Sequence, residues 1–297
     1  MLFDVKSIKY PKNYQLVNFI HNLGPHGHRD WPSDKKSINK IIEKFIENPS
    51  MKISILKDNS NILGYRLIER EVKIDRSIIS IGTFDNESFN LLLISAINKL
   101  NKLKKSNTHQ IHIPLYQKKN NQPKSLNISD YKKVRKYLKM SIETHNFITP
   151  KLLDNQFKIS KISSSKTIKE LIQIQNEIFE PHWGYSPNTI CDFSNKNSYS
   201  FFITNLEGEI YGFFTTNIVQ ENKKIIGKIS MIGTKKEFRG KGIGKFALTN
   251  GMFFLKNKGA STINLDVDSE NSHAISMYEN IGFVTNAKIN WWEYKNI

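Results

Sequence analysis

Cysteine is nearly missing from this chain: Cys191 is the only one in 297 residues. One thiol excludes an internal disulfide and any cysteine-built metal cluster. Arginine is also scarce, six residues against 38 lysines. No apolar run approaches the roughly 18 residues of a membrane-spanning helix. The opening MLFDVKSIKYPKNY has an early acid and no apolar stretch before a small-residue cleavage site. No secretory signal is read there, and a cytoplasmic protein without membrane association is expected.

What is present begins with size. At 297 residues and 38% hydrophobic content, the chain is about twice an ordinary domain, so two domains are expected, each able to bury a core. The formal charge is +17, unevenly spread: residues 1–150 carry 26 basic and 13 acidic side chains, residues 151–297 carry 18 and 14. The excess is densest from Lys99 to Lys139, where 12 basic residues face only Asp130. Such a stretch could meet phosphates, which keeps open a nucleic-acid- or ribosome-binding protein. Lysine dominates it, however, whereas base readout and bidentate phosphate grip favour arginine, and a solvated lysine face accounts for it as well.

The two halves share a plan. Ile81-Gly82-Thr83 and Ile232-Gly233-Thr234 each follow a β-rich run and precede a helical stretch, FNLLLISAINKL and IGKFALTNGMFFL. A short strand comes next, HQIHIPLY or STINLDV, and then a tyrosine segment opening at Tyr137 or Tyr278. This self-similarity reads as an ancient duplication with its boundary near Pro150 to Gln156. The expected domains are 1–150 and 157–297. In the second half, Ile168, Leu171, Ile172, Ile178 and Phe179 follow helical spacing. Strands are expected over Phe201–Thr204, Ile210–Val219 and Lys224–Thr234, a helix from Gly242 to Asn257, then a strand, a short helix through Tyr278 and a final hairpin around NAKINWWEY. That order implies an α+β fold, a mixed and mostly antiparallel twisted sheet with helices on both faces.

The segment Arg239-Gly240-Lys241-Gly242-Ile243-Gly244 opens the second long helix. A dinucleotide fingerprint needs glycine where Lys245 stands, and a Walker A loop fails at Arg239 and Phe246. There remains a turn whose backbone N–H groups open toward an anion at a helix N-terminus, where dipole and flanking cations favour a phosphate or pyrophosphate. A glycine-rich turn with solvated lysines is the plainer alternative.

That segment matches in phase the R/Q-x-x-G-x-G/A motif of the GNAT N-acetyltransferase family. Asn271, Ala274, Tyr278, Gly282 and Phe283 match its second hallmark, N-x-x-A-x-x-L-Y-x-x-x-G-F, with Met277 in place of Leu. The resemblance covers roughly 157–297. The first half looks like a degenerate copy, so the chain resembles tandem-GNAT proteins of the mycothiol synthase type. The resemblance implies acetyl-CoA as acyl donor and no metal, with the pyrophosphate on Arg239 to Gly244 flanked by Lys245. The pantetheine arm would lie along the strand ending at Ile232, Gly233 and Thr234, whose bulge aims N–H groups at the thioester carbonyl. It implies direct attack by an amine, of a small molecule or a peptide, in a ternary complex. Tyr278 would protonate the leaving thiolate, against the alternative of a packing tyrosine. Asn271 would either meet the cofactor or cap its helix.

Many relatives carry a carboxylate base on the strand before the loop, but KISMIGT has none; Asp266, Glu180 and His182 are the candidates. His182, Trp183 and Tyr185, in the loop after the first helix, are candidate acceptor contacts, or loop packing. The first copy has Phe84-Asp85-Asn86-Glu87-Ser88 where the second has its glycines. Its acids would repel a pyrophosphate, so no acetyl-CoA site is expected in 1–150. HGHRD, His26 to Asp30, lacks further ligands at metal-site spacing.

Overall fold

A computed structural model describes residues 1–4, 14–23, 31–32, 34–103, 109–118, 130–147, 156–179, 197–221 and 224–295. It divides into two compact units: Met1–Leu138 with Asp268–Glu270 and Asn286–Ile297, and Lys139–Val267 with Asn271–Thr285.

Unit 1 contains β1 (Leu2–Asp4), α1 (Tyr14–Leu23), α2 (Lys35–Glu47), β2 (Met51–Asp58), β3 (Asn61–Glu71), β4 (Arg76–Thr83), α3 (Asn86–Leu103), β5 (Gln110–Lys118) and the first part of β6 (Tyr131–Glu143). Strands β1 to β4 pair antiparallel in sequence order, and β4 pairs parallel with β5 across α3. Alternation along the strands sends Ile53, Tyr65 and Leu67 against α1 and α2, while Ile68, Ile79, Ile81, Ile111 and Ile113 meet Phe89, Leu92 and Leu93 of α3 on the other face. The helices therefore flank the sheet on both sides.

Unit 2 repeats the scheme with the end of β6, β7 (Lys158–Ile162), α4 (Ser165–Ile178), β8 (Ser198–Thr204), β9 (Ile210–Glu221), β10 (Lys224–Thr234), α5 (Ile243–Asn257), β11 (Ala260–Asp268) and α6 (Ser272–Ile281). Strands β7 to β10 are antiparallel, and β10 and β11 are parallel. A capping box at Ser164 and Thr167 starts α4, whose Leu171 and Ile174 cover Phe202 and Phe213. On the opposite face Ile243 and Ala247 of α5 cover Ile203 and Phe214.

The last strand corrects the expected hairpin. β12 (Val284–Tyr294) runs unbroken and pairs antiparallel with β5, from Ala287 opposite Lys118 to Glu293 opposite His112. No glycine follows Asn286 or Asn290 to turn the chain back, and the alternation that buries Ala287 and Ile289 continues through it. Residues 286–297 thus belong to unit 1, and the compact units cut across the sequence halves. A second correction concerns the tyrosine segments: Tyr137 lies in β6, whereas Tyr278 lies in α6, so the two are not counterparts.

The duplication itself shows in cross-strand detail. Gly64-Tyr65 stands opposite Gly82-Thr83 in unit 1, and Gly212-Phe213 opposite Gly233-Thr234 in unit 2. At both places the glycine makes room for the aromatic ring across from it: a Cβ would lie 2.3 Å from Tyr65 Cε1 at Gly82 and 2.5 Å from Phe213 Cε1 at Gly233.

Candidate acyl-donor site

In unit 2 the parallel ladder of β10 and β11 stops at Ile229 opposite Leu265, although β10 continues to Thr234 and β11 to Asp268. The strands part as a fork. At the same level β10 bulges, because Ile229 pairs with Thr216 and Met231 with Thr215, leaving Ser230 as the extra residue. A bulge removes backbone groups from the ladder and turns them toward whatever lies alongside. Ile232 and Gly233, further along the same arm, are held against the neighbouring strand by their pairs with Phe214 and Phe213.

Beyond the arm, a 3-10 turn over Lys236–Phe238 leads into the glycine segment. Arg239, Gly240, Lys241, Gly242 and Lys245 are exposed, while Ile243 is buried and anchors the segment in the α5 core. Gly240 and Gly242 hold φ of +78° and +80°, where a side chain is strained, and a Cβ at Gly240, Gly242 or Gly244 would meet nothing within 4 Å. Gly242 caps α5 without a side-chain bond, and the first intrahelical bond is Phe246 N–H to Gly242 O. The amides of Ile243, Gly244 and Lys245 thus lie ahead of the helical ladder, at the positive end of the dipole. Arg239 Nε donates to Thr234 O at 3.3 Å, and Lys241 Nζ sits 5.3 Å from the centre of the Phe238 ring. The loop brings together backbone donors, open space and cations, the elements from which a main-chain anion site can be built.

Residues 168–283 match the profile described as the acetyltransferase (GNAT) family. Within that stretch the chain is similar to the family, and the match covers 116 residues, under half of the chain. Among curated relatives, a mycothiol acetyltransferase of Streptomyces coelicolor is 35% identical over 85 residues, 29% of this chain and 27% of the relative. That of Propionibacterium freudenreichii is 26% identical over 165 residues, 51% of each chain. The chain therefore spans between about a quarter and half of those relatives. Over nearly the full length the fold matches a tandem GNAT protein from the clavulanic acid biosynthesis pathway, with TM-score 0.70, 8% identity and coverage of 99% and 97%. It also matches a GCN5-related N-acetyltransferase from Sphaerobacter thermophilus, with TM-score 0.71, 12% identity and coverage of 100% and 97%. The chain has a tandem GNAT fold.

Within the GNAT domain, Tyr278 is 9% exposed on α6, its ring against Phe283, and no hydrogen bond to its hydroxyl occurs among the described residues. Burial pushes its pKa up to about 12, so it carries its proton throughout the neutral range. Asn271 caps α6, its Oδ1 accepting from Ala274 N–H at 3.1 Å. Asp266 lies at the fork with Lys228 Nζ 2.7 Å and Lys139 Nζ 3.6 Å from its oxygens. Burial alone would raise its carboxyl, but the two ammoniums outweigh that and hold it below the usual carboxylate value. A carboxylate so stabilised is a weak proton acceptor. Glu180, His182, Trp183 and Tyr185 lie outside the described residues, as do Cys191 and His26 to Asp30. No group of metal-ligating side chains occurs among the described residues, and no described helix is long and apolar enough to cross a membrane.

The first GNAT copy makes the contrast visible. Its strands also part, after Ile78 opposite His112, but β4 pairs with β3 continuously from Arg76 to Thr83 and has no bulge. At the head of α3, Asp85 Oδ1 accepts from Ser88 N–H at 2.7 Å. A carboxylate of the protein itself occupies the helix end that glycine leaves open in the second copy.

Sequence reading missed the bulge residue Ser230 and the two lysines beside Asp266, Lys228 and Lys139. Neither a bulge nor the end of a ladder has a fixed residue type, and Lys139 is remote in sequence from the other two.

Proposed function

We propose that the second GNAT copy is an acetyl-CoA-dependent N-acetyltransferase acting on an amine acceptor. The observation that carries this is the uncapped N-terminus of α5 behind Gly240, Gly242 and Gly244, on the same strand-to-helix connection as a bulged, forked β10. Backbone N–H groups of 243–245, with Arg239, Lys241 and Lys245, bind the pyrophosphate. The free edge of β10 from Ser230 to Thr234 takes the pantetheine arm, and N–H groups at the bulge stabilise the carbonyl oxygen as it gains charge. The acceptor nitrogen bonds to the acetyl carbon as the carbon–sulfur bond breaks. The nitrogen's proton leaves to solvent, and Tyr278 supplies a hydrogen bond or proton to the sulfur.

A pKa near 12 exceeds that of an ordinary thiol by more than three units, so full transfer from the free-state phenol is uphill by about 4–5 kcal/mol. Tyr278 therefore acts first as a hydrogen-bond donor to the developing thiolate. Asn271, fixed by its cap, keeps its amide N–H₂ for the donor. The role of base is not assigned to Asp266. The first copy, self-capped and without a bulge, binds no acetyl-CoA and acts as a scaffold.

Calorimetric titration of acetyl-CoA into the full chain tests this. One site per chain, lost in Gly242→Glu, is expected. Two sites would overturn the reading of the first copy, and none in the wild type would overturn the enzyme.

A further inference from the structure

Helix α4 lays an apolar stripe on the sheet, and one member of that stripe is polar. Leu171, Ile174, Gln175 and Ile178 follow at helical spacing; the first three are buried, Gln175 only 3% exposed, and Ile178 packs against the same cluster. Across from Gln175 lies Met231 of β10, the residue after Ser230, and Gln175 Nε2 donates to Met231 Sδ at 3.5 Å. The amide thus stands beside the bulge, on the face of the sheet opposite α5.

A thioether sulfur is a weak acceptor, and this is the amide's only hydrogen bond among the described residues. With the nitrogen facing the sulfur, the carbonyl oxygen is the amide's other end, and it accepts from no described group. The polar side chains nearby on the strands are already paired. Thr215, opposite Met231, bonds to Ser200 at 2.9 Å, and Asn217 donates to Ser230 at 2.6 Å. Leucine or isoleucine at 175 would complete the stripe, as at the neighbouring positions, without burying a carbonyl that lacks a partner. The partner this oxygen lacks within the fold has to come from a ligand.

We propose that Gln175 is an acceptor-binding residue of the second copy: its side-chain carbonyl receives an N–H of the attacking amine and so orients the nitrogen lone pair toward the acetyl carbon at the bulge. The proposal rests on the acetyltransferase reading above. An amide carbonyl is too weak a base to keep the proton, which leaves to solvent as the carbon–sulfur bond breaks. Its contribution is orientation, which raises kcat/KM for the amine and leaves the affinity for the donor alone.

The first test uses the full chain, isotope-labelled in its glutamine side-chain amides and saturated with CoA. The Gln175 resonance is identified by its absence from Gln175→Leu. Ethylamine should move that resonance saturably, and tetramethylammonium, which has no N–H, should leave it in place. A resonance unmoved by ethylamine, or moved equally by both, overturns the proposal.

The Gln175→Leu variant supplies the second test. It should melt at or above the wild-type temperature, keep acetyl-CoA affinity within about threefold and lose about tenfold in kcat/KM for ethylamine, read by thiol release. A role in packing gives the opposite pattern, a lower melting temperature with turnover reduced only by the unfolded fraction. A variant that melts lower, does not fold, or turns over amine like the wild type overturns the proposal. Titrating acetyl-CoA into the same samples keeps the two readings apart. A wild type that does not bind the donor counts against the enzyme, while donor binding with an unmoved Gln175 resonance counts against this inference alone.

Discussion

Adding one methyl group at Gly242 and at Gly244, two residues apart in the same open space, should give opposite results. Neither Cβ meets an atom within 4 Å, so sterics do not separate them. Backbone does: Gly242 sits at φ +80° and ψ −2°, in the left-handed region, whereas Gly244 is inside α5. Alanine at 242 costs about 1–2 kcal/mol of backbone strain. For a domain of this size that is roughly a 2–8 °C loss in melting temperature. The strain is relieved by rotating the turn, which swings the N–H groups of 243–245 away from the anion. Losing one charge-assisted hydrogen bond, worth about 1.5–3 kcal/mol, should weaken acetyl-CoA by about ten- to 150-fold. Alanine at 244 removes glycine from a first helical turn and should be neutral or stabilising by up to about 0.5 kcal/mol. Acetyl-CoA affinity should stay within about threefold. Thermal melting and calorimetry on the two variants check both numbers. If Gly242→Ala melts and binds like the wild type, the left-handed turn is not what presents the amides, and the site is misread.

Tyr278→Phe should melt like the wild type, since the hydroxyl has no hydrogen bond to lose among the described residues. It should keep acetyl-CoA affinity and lose about 10²-fold in kcat, measured by thiol release. Asp85→Ala should cost about 1 kcal/mol of stability through the lost cap on Ser88, seen in denaturant unfolding, and leave acetyl-CoA stoichiometry unchanged. Asp266 has a folded pKa below its unfolded value, so its contribution to stability is present above the unfolded pKa and fades as pH falls through the lower folded one. The stability gap between wild type and Asp266→Asn should therefore be full at pH 7 and shrink only in strongly acidic solution. The pH–rate profile should show no limb from Asp266 between pH 6 and 8.

The glycine loop and its helix were legible because each rests on a local rule: a turn at positive φ needs glycine, and a helix end either has a cap or lacks one. The helix expected from Gly242 to Asn257 is found as Ile243–Asn257, with Gly242 as its cap. The duplication was legible in Ile-Gly-Thr, whose glycine makes room for an aromatic ring in both copies. What the sequence hid is non-local. The partner of β12 is β5, some 170 residues earlier, and nothing in NAKINWWEY names it. The Tyr137–Tyr278 equivalence failed for a related reason, because tyrosine suits a strand and a short helix alike. A bulge in this strand was expected from the resemblance alone and its place at Ser230 was not, since a strand's residues do not announce which one its neighbour will skip.

The two copies keep one framework and differ at the two points on which the proposed donor binding rests. Both retain the parted parallel strands and the glycine opposite an aromatic ring, so the space beside the strand is a property of the shared fold. At the helix end the copies choose oppositely: Asp85 satisfies α3 from within, while Gly242 leaves α5 to an outside anion. In the adjoining strand, β4 keeps every rung with its neighbour and β10 skips one. Closing the helix end gains about the worth of one cap, near 1 kcal/mol, and closing the bulge restores a ladder pair. On the proposed reading, a copy relieved of ligand binding moves toward both closures, because each stabilises the free protein. A copy that binds keeps both open and recovers the cost only when its ligand is present. Introducing glycines at 85 and 86 would therefore loosen α3 without creating a donor site, because β4 would still lack the extra residue that frees its N–H groups.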